Sequence, residues 1–335
     1  MTGLPEPRPR RDSEGQEYTS PAEALCLVDA FHDPEIVRRA ATGEPLAVGI
    51  VGSGRAASAL ARSLRQGGVE GSVMVARRGE SAGRLARELD AEEVDIAEVL
   101  GRADLTLLAV PDDAIVPLAV ELVESAPPGD GRVVAHLSGS LESGILAPLA
   151  CHGYVVGALH PLQVLTGQRI PPGTTFAVEG QEAALPVLAR LIADLKGVEL
   201  VLPEGTRGVY HAAATMTANL GMALMAEALD LMEVAGIERA AALDGLLSLV
   251  RGGLEASAVR GLPAALTGPV SRGDVETVRR HLALLGRDPQ LLQAYRAVSV
   301  LALRQARRDG RPADPEAGRR MSELLGVDAP EEKNP

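Results

Sequence analysis

The sequence predicts an α/β domain with a doubly wound, mainly parallel sheet, followed by an all-α domain. Three observations carry this prediction. Short apolar segments alternate with helical patterns from residue 46 to about residue 203. A glycine-rich turn joins the first apolar segment to the first helix, and no strand pattern remains after residue 204. Parallel strands between two helical layers are buried on both faces, so near-continuous apolar segments are typical of such a sheet.

The elements follow in order along the chain. The predicted strands lie at 46–51, 72–76, 104–110, 132–137, 154–159, 174–178 and 198–202. The helices between them are predicted at 55–67, 81–89, 113–124, 143–150 and 181–195. The C-terminal helices are predicted at 205–235, 238–252, 274–285, 289–308 and 315–325. These boundaries divide the chain into a partly disordered extension at 1–45, a sheet domain at 46–203, a helical domain at 204–326 and a tail at 327–335.

The glycine-rich turn is the most informative motif. It has the pattern G-x-G-x-x-A and runs from Gly52 to Ala57, between the first strand and the first helix. Gly52 permits the tight turn, Gly54 lets the backbone approach a pyrophosphate, and Ala57 allows close helix–strand packing. The free N–H groups of the helix N-terminus favour phosphate. The motif predicts a dinucleotide-binding domain of the Rossmann type, or alternatively a Rossmann-type domain without nucleotide; the predicted cofactor contacts are Gly52, Ser53, Gly54, Arg55 and Ala56.

Two further segments are predicted to border the cofactor. The strand at 72–76 ends in Arg77-Arg78, where an NAD-specific site usually places Asp or Glu for the ribose 2′-hydroxyl. A guanidinium can bind a phosphate bidentately, so the pair predicts NADP, the alternative being a solvated strand end. Val110 and Pro111, at the end of another strand, are expected to lie beside the cofactor. Asp112 and Asp113, which follow, are interpreted as the start of a helix.

Composition limits the classes of function. The net charge of −12 and the aromatic content of 2% argue against nucleic acid as a partner. No apolar run has the roughly 18 residues of a membrane span, and the N-terminus lacks an apolar signal region. Cys26 and Cys151 are too few for a disulfide framework, and no metal-ligand spacing is present. We therefore expect a cytoplasmic protein with neither a membrane nor a metal as partner.

Candidate chemical groups follow two strands of the predicted sheet. Ser138 and Ser140 come after the strand at 132–137, and His160 with Pro161 ends the strand at 154–159. In open α/β sheets, ligands bind at the carboxyl edge. The serine hydroxyls could contact a carbonyl or carboxylate or instead cap a helix, and His160 is either a site residue or a buried structural histidine.

A third set of candidates lies in the helical domain. His211, Thr215 and Asn219 recur every fourth residue on the helix predicted at 205–235, which places them on one face. That helix is otherwise apolar on most faces, so it is expected to be buried in a domain core or between subunits. The polar side chains then face either a cleft or an interhelical hydrogen-bond network, because unpaired buried polar groups are costly. In the polar loop at 266–274, Arg272 and Thr267 are candidates for binding an acidic substrate.

These motifs together resemble a family of Rossmann-like proteins with a C-terminal helical domain of formerly unknown function. The resemblance covers about residues 46 to 310. Its relatives are pyrroline-5-carboxylate reductase, deazaflavin-dependent NADP oxidoreductase and 6-phosphogluconate-dehydrogenase-like enzymes. The motifs that carry it are Gly52-Ser53-Gly54-Arg55, Val110-Pro111-Asp112-Asp113, His136-Leu137-Ser138-Gly139-Ser140, His160-Pro161-Leu162-Gln163, Tyr210-His211 with Asn219, and Leu266-Thr267-Gly268-Pro269.

The resemblance implies an NADP-linked oxidoreductase that forms a homodimer through a helical domain of the 6-phosphogluconate-dehydrogenase-like type. The lysine that these dehydrogenases carry on the long helix has no counterpart here, since the only lysines are Lys196 and Lys333. A lysine-based mechanism is therefore not carried over.

The resulting hypothesis is hydride transfer between NADPH and a small acidic carbonyl or imine substrate, with 2-ketopantoate as one candidate. His211 is the predicted proton donor and His160 its rival, because histidine titrates near neutral pH. Asn219, Ser138 and Thr215 would orient the carbonyl, and Ser140, Arg272 and Thr267 would bind the acidic group. The alternatives are a non-catalytic NADP-binding regulatory protein, a prephenate-dehydrogenase-like enzyme and a deazaflavin-linked oxidoreductase.

Overall fold

The central element of the molecule is one eight-stranded sheet. The structure is a computed structural model that describes residues 10–11, 17–18, 34–66, 73–76 and 80–327. The strands of the sheet are β1 (Val48–Val51), β2 (Val73–Ala76), β3 (Glu92–Val94), β4 (Leu105–Leu108), β5 (Val133–His136), β6 (Val155–Pro161), β7 (Thr175–Gly180) and β8 (Val198–Val201). A separate two-residue antiparallel pairing joins Arg10–Arg11 to Glu17–Tyr18.

The strand order places the candidate motifs at one edge. The order is β8-β7-β6-β5-β4-β1-β2-β3, and all neighbours are parallel except β6 and β7. The chain therefore reverses its direction of winding between β1 and β4, which is where open α/β sheets bind ligands. Since β1, β4, β5 and β6 are parallel neighbours, the segments that follow them leave the sheet at the same edge. The predicted doubly wound, mainly parallel sheet is confirmed.

The helices fall into two groups. Those associated with the sheet are α1 (Pro34–Thr42), α2 (Arg55–Gln66), α3 (Glu80–Leu89), α4 (Ile96–Arg102), α5 (Asp112–Ser125), α6 (Ala147–Ala150) and α7 (Ala184–Asp194). After β8 the described chain is helical: α8 (Arg207–Thr215), a π-helical turn (Met216–Leu220), α9 (Gly221–Val234), α10 (Arg239–Arg260), α11 (Leu262–Ala265), α12 (Pro269–Arg272), α13 (Val275–Leu285), α14 (Pro289–Arg308) and α15 (Pro315–Leu325).

Buried apolar side chains cover both faces of the sheet. On one face, Ile50 of β1 belongs to a cluster with Leu60 of α2 and Val187 of α7. On the other, Leu108 of β4 belongs to a cluster with Leu118 of α5 and Tyr154. Strands buried on both faces explain why the apolar segments of the sequence are near-continuous rather than alternating.

The described residues form two compact units, and the division falls between Asn219 and Leu220. The second unit has its own apolar core, in which Val278, Leu303 and Met321 are almost fully buried. No helix in the described part of the chain is both long enough and apolar enough to cross a membrane.

Four short elements after residue 46 are absent from the sequence prediction, namely β3, α4, α11 and α12. β3 is a sheet edge whose first two residues, Glu92 and Glu93, are charged and exposed, so it lacks the apolar pattern of the other strands. The adjoining helix α4 has seven residues, of which Val99 and Leu100 are buried. Short elements at a sheet edge bury few side chains and leave a weak periodic signal.

The helices after β8 also differ from the prediction. The helix expected at 205–235 consists of α8, the π-helical turn and α9, and α10 continues past its predicted end to Arg260. The expected burial in a domain core holds for only part of this helix: Leu229 is 6% exposed and packs with Leu246 of α10, whereas Met216 and Leu220 are 56% and 53% exposed. Burial between subunits, the other alternative, stays a prediction.

Candidate active site

The glycine-rich turn after β1 has the backbone that its sequence predicts. Gly52 has a φ of +127°, and a Cβ atom there would lie 2.3 Å from the carbonyl oxygen of Ala109. A side chain is therefore excluded at this position. Gly54, by contrast, has no atom within 4 Å of where its Cβ would stand. The turn thus leaves open space beside Gly54 at the N-terminus of α2, as a bound pyrophosphate requires.

The loop after β5 forms a compact polar cluster with the start of α5. Oγ of Ser138 and Oγ of Ser140 donate to the same carboxylate oxygen of Asp112, at 2.8 and 2.9 Å. Ser138 Oγ also accepts from the backbone N–H groups of Ser140 and Leu141, each at 3.2 Å. We call residues 138–140 the serine loop. The structure thus brings Ser138 and Ser140 together, with both hydroxyl protons directed at one negative charge.

A buried arginine is hydrogen-bonded to the backbone of the serine loop. Arg207, the first residue of α8, is fully buried and donates to the carbonyl oxygen of Ser138 from Nε at 3.1 Å and from Nη2 at 2.7 Å. Its backbone N–H donates to Oε1 of Glu142 at 3.1 Å. The third guanidinium nitrogen, Nη1, lies 3.9 Å from Oε1 of Glu179. This arrangement connects α8 to the loop after β5.

Of the two carboxylates near Arg207, Glu179 is buried and Glu142 is half-buried. Glu179 accepts from the N–H and the Oγ of Ser143 at 2.5 and 2.9 Å, and burial nevertheless raises its pKa. Arg207 Nη1 and Glu142 Oε2 are buried and have no hydrogen-bond partner among the described residues. The guanidinium of Arg207 is therefore the positive charge that compensates the carboxylates of Glu142 and Glu179.

The rings of two histidines lie next to each other and against the serine loop. The imidazole of His160, at the end of β6, and that of His211, on α8, are arranged edge to face with centroids 5.8 Å apart. A Cβ on Gly139 would lie 2.5 Å from Cδ2 of His211 and 2.9 Å from Nε2 of His160. Glycine is therefore the residue that lets both rings approach the loop backbone. His160 Nδ1 lies 2.8 Å from the hydroxyl of Tyr210.

Burial and charge keep two of the histidines neutral. Desolvation, reinforced by the positive charge of Arg207, lowers the pKa of His160 to about 4. The same two causes lower the pKa of His136 to about 4. Nδ1 of His136 accepts from the N–H of Ser138 at 3.2 Å, which requires an unprotonated nitrogen. Both imidazoles are therefore uncharged at neutral pH.

Other predicted site residues lie in varied surroundings. Thr215 is half-buried and Asn219, in the π-helical turn, is exposed. At the nucleotide edge, Arg55 and Pro111 are exposed, and Ser53, Ala56 and Val110 are half-buried. Their roles stay predictions. Arg77 and Arg78 lie outside the described residues.

Two predicted substrate-binding residues belong to the helical unit. Arg272, the last residue of α12, is exposed and donates from Nη1 to the carbonyl oxygen of Thr267. The two residues are therefore in contact with each other. That they bind substrate stays a prediction.

Three residues of the cluster were not assigned a chemical role from the sequence. Asp112 begins α5, as interpreted, but it also accepts from both serine hydroxyls. The residue type of Arg207 gives no signal in the sequence, because an isolated arginine usually lies at the surface. Tyr210 belongs to the motifs that carry the resemblance, which assign it no chemical role. The one sequence signal for Arg207 is its position: it is a charged residue that begins a helix shortly after the end of a strand.

The fold and site define a two-part protein: a Rossmann-like domain with the nucleotide-binding turn, followed by a helical C-terminal region. In particular, residues 34–161 match a family model described as a Rossmann-like domain. Residues 174–301 match the model of a domain of unknown function, DUF2520. No curated protein matches the chain.

Solved structures share this fold. One from Bacteroides fragilis, provisionally described as an NADP oxidoreductase, is 25% identical over 77% of this chain and 98% of that chain, with a TM-score of 0.61. A pyrroline-5-carboxylate reductase from Coxiella burnetii is 15% identical over 85% and 100%, with a TM-score of 0.53. A reductive aminase from Aspergillus terreus, in complex with NADPH and ethyl-5-oxohexanoate, is 15% identical over 84% and 99%, with a TM-score of 0.58. The predicted resemblance to Rossmann-like proteins with this C-terminal domain, and to pyrroline-5-carboxylate reductase, is confirmed.

Proposed function

We propose that the protein is an NADP-dependent oxidoreductase that transfers a hydride between NADPH and a small acidic carbonyl or imine compound. One observation carries the proposal. The glycine-rich turn, the serine loop and the end of β6 follow three parallel strands, β1, β5 and β6, at the same edge of the sheet, and His211 packs against the serine loop. A nucleotide-binding turn and a cluster of titratable groups at one ligand-binding edge favour a catalytic role.

The glycine-rich turn fits a dinucleotide. Gly54 and the N-terminus of α2 offer space and N–H groups to the pyrophosphate, and Arg55 is exposed beside them. The choice of NADP over NAD rests on Arg77 and Arg78 in the sequence and on the cofactors named for the similar structures. The cofactor supplies the hydride, and the residues of the chain supply position and the proton.

His211 is the proposed proton donor. It is half-buried and lies against the serine loop. Burial and the charge of Arg207 lower the pKa of its rival His160 to about 4. His160 is therefore not an imidazolium at neutral pH and cannot act as the acid in that form. A positioned general acid contributes roughly 10²- to 10⁴-fold to the rate.

The serine loop is the proposed support for the reacting group. Ser138 and Ser140 both donate hydrogen bonds from their hydroxyls to Asp112. A substrate carboxylate could therefore accept a hydrogen bond from either serine only if that serine released Asp112. The backbone of the loop is held by Arg207 and presents Gly139 to both histidines. We assign Ser138 to holding the loop and Ser140, the less buried of the two, to substrate contact.

Binding and turnover with the full-length chain test the proposal. Thermal unfolding is followed with NADPH and NADH, and NADPH oxidation is then measured with 2-ketopantoate, other 2-keto acids and pyrroline-5-carboxylate. Because a ligand that binds only the folded state stabilises it by mass action, NADPH should raise the unfolding temperature more than NADH does. One or more carbonyl or imine compounds should be reduced.

A pair of histidine variants separates chemistry from binding. His211→Ala should keep NADPH binding and lose roughly 10²- to 10⁴-fold in turnover. His152→Ala is the matched control, since His152 precedes β6 and so lies at the opposite, amino end of that strand. Turnover by His211→Ala at the wild-type rate would remove His211 from the mechanism. NADPH binding without reduction of any compound would favour the non-catalytic regulatory alternative.

We also propose that the protein forms a homodimer through its helical unit. Large apolar side chains on α9 and α10 are exposed in the single chain, among them Val234 at 87%, Leu249 at 73% and Val259 at 85%. A groove of about 470 Å³, lined mainly by apolar side chains, lies between α9, the 265–271 segment and α14. Apolar area of this kind is typical of a subunit interface. Light scattering should give twice the chain mass of 34.8 kDa, and Leu249→Glu should shift it towards the monomer.

A further inference from the structure

His160 and Tyr210 form a hydrogen-bonded pair. The phenol oxygen of Tyr210 lies 2.8 Å from Nδ1 of His160, and the rings are edge to face with centroids 5.7 Å apart. Within the described ranges of the chain, neither side chain has another hydrogen bond. The pair therefore has two possible arrangements, which differ in whether the phenol or Nδ1 carries the shared proton.

The geometry favours donation by the phenol. The distance of 2.8 Å is within the usual range for either donor, so the other partners available to each group decide between the two arrangements. If Nδ1 donated instead, the phenol proton would have no acceptor among the described residues. Burial raises the pKa of Tyr210, so the phenol retains its proton at neutral pH. The hydroxyls of half-buried tyrosines usually find a partner, and Nδ1 is the acceptor at hand.

We propose that Tyr210 fixes His160 as the tautomer that carries its proton on Nε2, so that His160 serves the site as a hydrogen-bond donor to an oxygen atom of the substrate. Tyr210 is then a positioning residue, which acts through His160. The inference rests on the proposed function for its substrate, but the tautomer itself is a property of the free protein.

The position of Nε2 agrees with this role. It lies 2.9 Å from where a Cβ on Gly139 would stand, next to the serine loop. The His211 ring is on the same side, with its centroid 5.8 Å from that of His160. No group in the described part of the chain accepts a hydrogen bond from Nε2, so this N–H is available to a ligand. A neutral donor from His160 and a proton from His211 could then act on one carbonyl or imine group.

The charges around His160 support a neutral ring. Burial, Arg207 and His211 lower the pKa of His160 to about 4, and Asp112 opposes them. Tyr210 adds a donor to Nδ1, which stabilises the neutral form further because only an unprotonated nitrogen can accept. These four residues are the titratable or charged groups that act on the ring, Asp112 from α5 and the other three from α8.

The test is the tautomer of His160 in the free full-length protein. Long-range ¹H–¹⁵N correlation of ¹⁵N-histidine-labelled protein reports which ring nitrogen carries the proton, and the six histidines are few enough to resolve. The His160 signals are assigned by their loss in His160→Asn. The wild type should show a proton on Nε2 alone at pH 7. Tyr210→Phe should show both tautomers and a raised His160 pKa, because the donor to Nδ1 is gone.

The chain offers a matched control. Tyr295 and His281 repeat the same contact, with the phenol oxygen 2.8 Å from Nδ1 and the ring centroids 5.8 Å apart. Tyr295→Phe should change the His281 signals and leave those of His160 unchanged. A proton on Nδ1 of His160 in the wild type would overturn the proposal, as would an unchanged tautomer in Tyr210→Phe. Neither result depends on NADPH binding, so failure of this inference is distinguishable from failure of the proposed function.

Discussion

Arg207 donates from both Nε and Nη2 to the carbonyl oxygen of Ser138, at 3.1 and 2.7 Å, although 69 positions separate the two residues in the sequence. The guanidinium is fully buried. It thereby fixes the backbone of the serine loop and supplies the positive charge next to Glu142 and Glu179. One side chain thus links the polar cluster of the sheet edge to the helix that carries His211.

Replacing Arg207 should strongly destabilise the fold. Arg207→Met leaves buried carboxylates without their counter-charge, and breaking a buried ion pair in this way costs about 3–5 kcal/mol. Urea unfolding measures the loss. Arg190→Met is the control, because Arg190 pairs with Asp194 at 2.9 Å near the surface of α7 and such a pair contributes about 1 kcal/mol or less. Equal losses in the two variants would contradict the structural role of Arg207.

The two glycines of the nucleotide-binding turn should respond differently to the same substitution. Gly52→Ala combines an unfavourable φ of +127° with a contact of 2.3 Å to a backbone oxygen, so it should destabilise the fold. Gly54→Ala meets no atom within 4 Å, and its unfolding free energy should stay within about 0.5 kcal/mol of wild type. Its NADPH affinity should fall, because the methyl group would occupy the space beside the pyrophosphate. Undiminished NADPH affinity in Gly54→Ala would place the cofactor elsewhere.

Gly139→Ala should displace both histidines. The added Cβ would lie 2.5 Å from Cδ2 of His211 and 2.9 Å from Nε2 of His160, and overpacking of this kind costs typically about 1–3 kcal/mol. Turnover should fall more than NADPH affinity. Gly208→Ala, on α8, is the control, since its Cβ meets no atom within 4 Å and alanine favours a helix by roughly 0.5–1 kcal/mol. If Gly139→Ala kept full stability and turnover, the close approach of the two rings to the loop would be wrong.

Acid should destabilise the protein between about pH 6.5 and pH 4 through His136. Burial and Arg207 lower its folded-state pKa from 6.5 to about 4, so the unfolded chain binds more protons in this window and stability falls as the pH falls. The contribution is fully present above pH 6.5 and amounts to about 3 kcal/mol, at 1.36 kcal/mol for each pH unit. The raised pKa of Glu179 acts in the opposite direction. Urea unfolding at pH 7, 6 and 5 measures the slope, which should decrease in His136→Asn.

The sequence alone predicted the parts of the molecule that depend on local patterns. The strand, turn and helix around Gly52 and Gly54 could be predicted because the spacing of apolar residues and glycines specifies them within a short segment. The reversed direction of β7 and β8 could not be predicted, because the pattern of apolar residues in a strand does not show in which direction the strand runs. The sequence also left open whether the apolar helix at 205–235 is buried in a domain core or between subunits, because an apolar helix indicates burial without naming its partner.

The candidate site was predictable as a set of strand ends and not as a set of contacts. Ser138 and His160 are predicted because they lie at strand ends, and His211 because it begins a line of polar residues on an otherwise apolar helix. The hydrogen bonds that Ser138 donates to Asp112 and accepts from Arg207 span 26 and 69 positions, so they depend on the strand order and on the start of α8. Burial of Arg207 contradicts the usual preference of that residue type, so a sequence pattern gives it little weight.

The site is shared between two segments that match separate family models. Gly52, Asp112, Ser138 and His160 belong to the segment at 34–161, whereas Arg207, Tyr210 and His211 belong to the one at 174–301. Neither segment contains a complete set of these side chains. Joining this Rossmann-like segment to a different helical segment would keep the glycine-rich turn but replace Arg207, Tyr210 and His211 together, and with them the proposed tautomer partner and the proposed proton donor. The contacts of the candidate site therefore need both segments, although each segment is recognisable on its own.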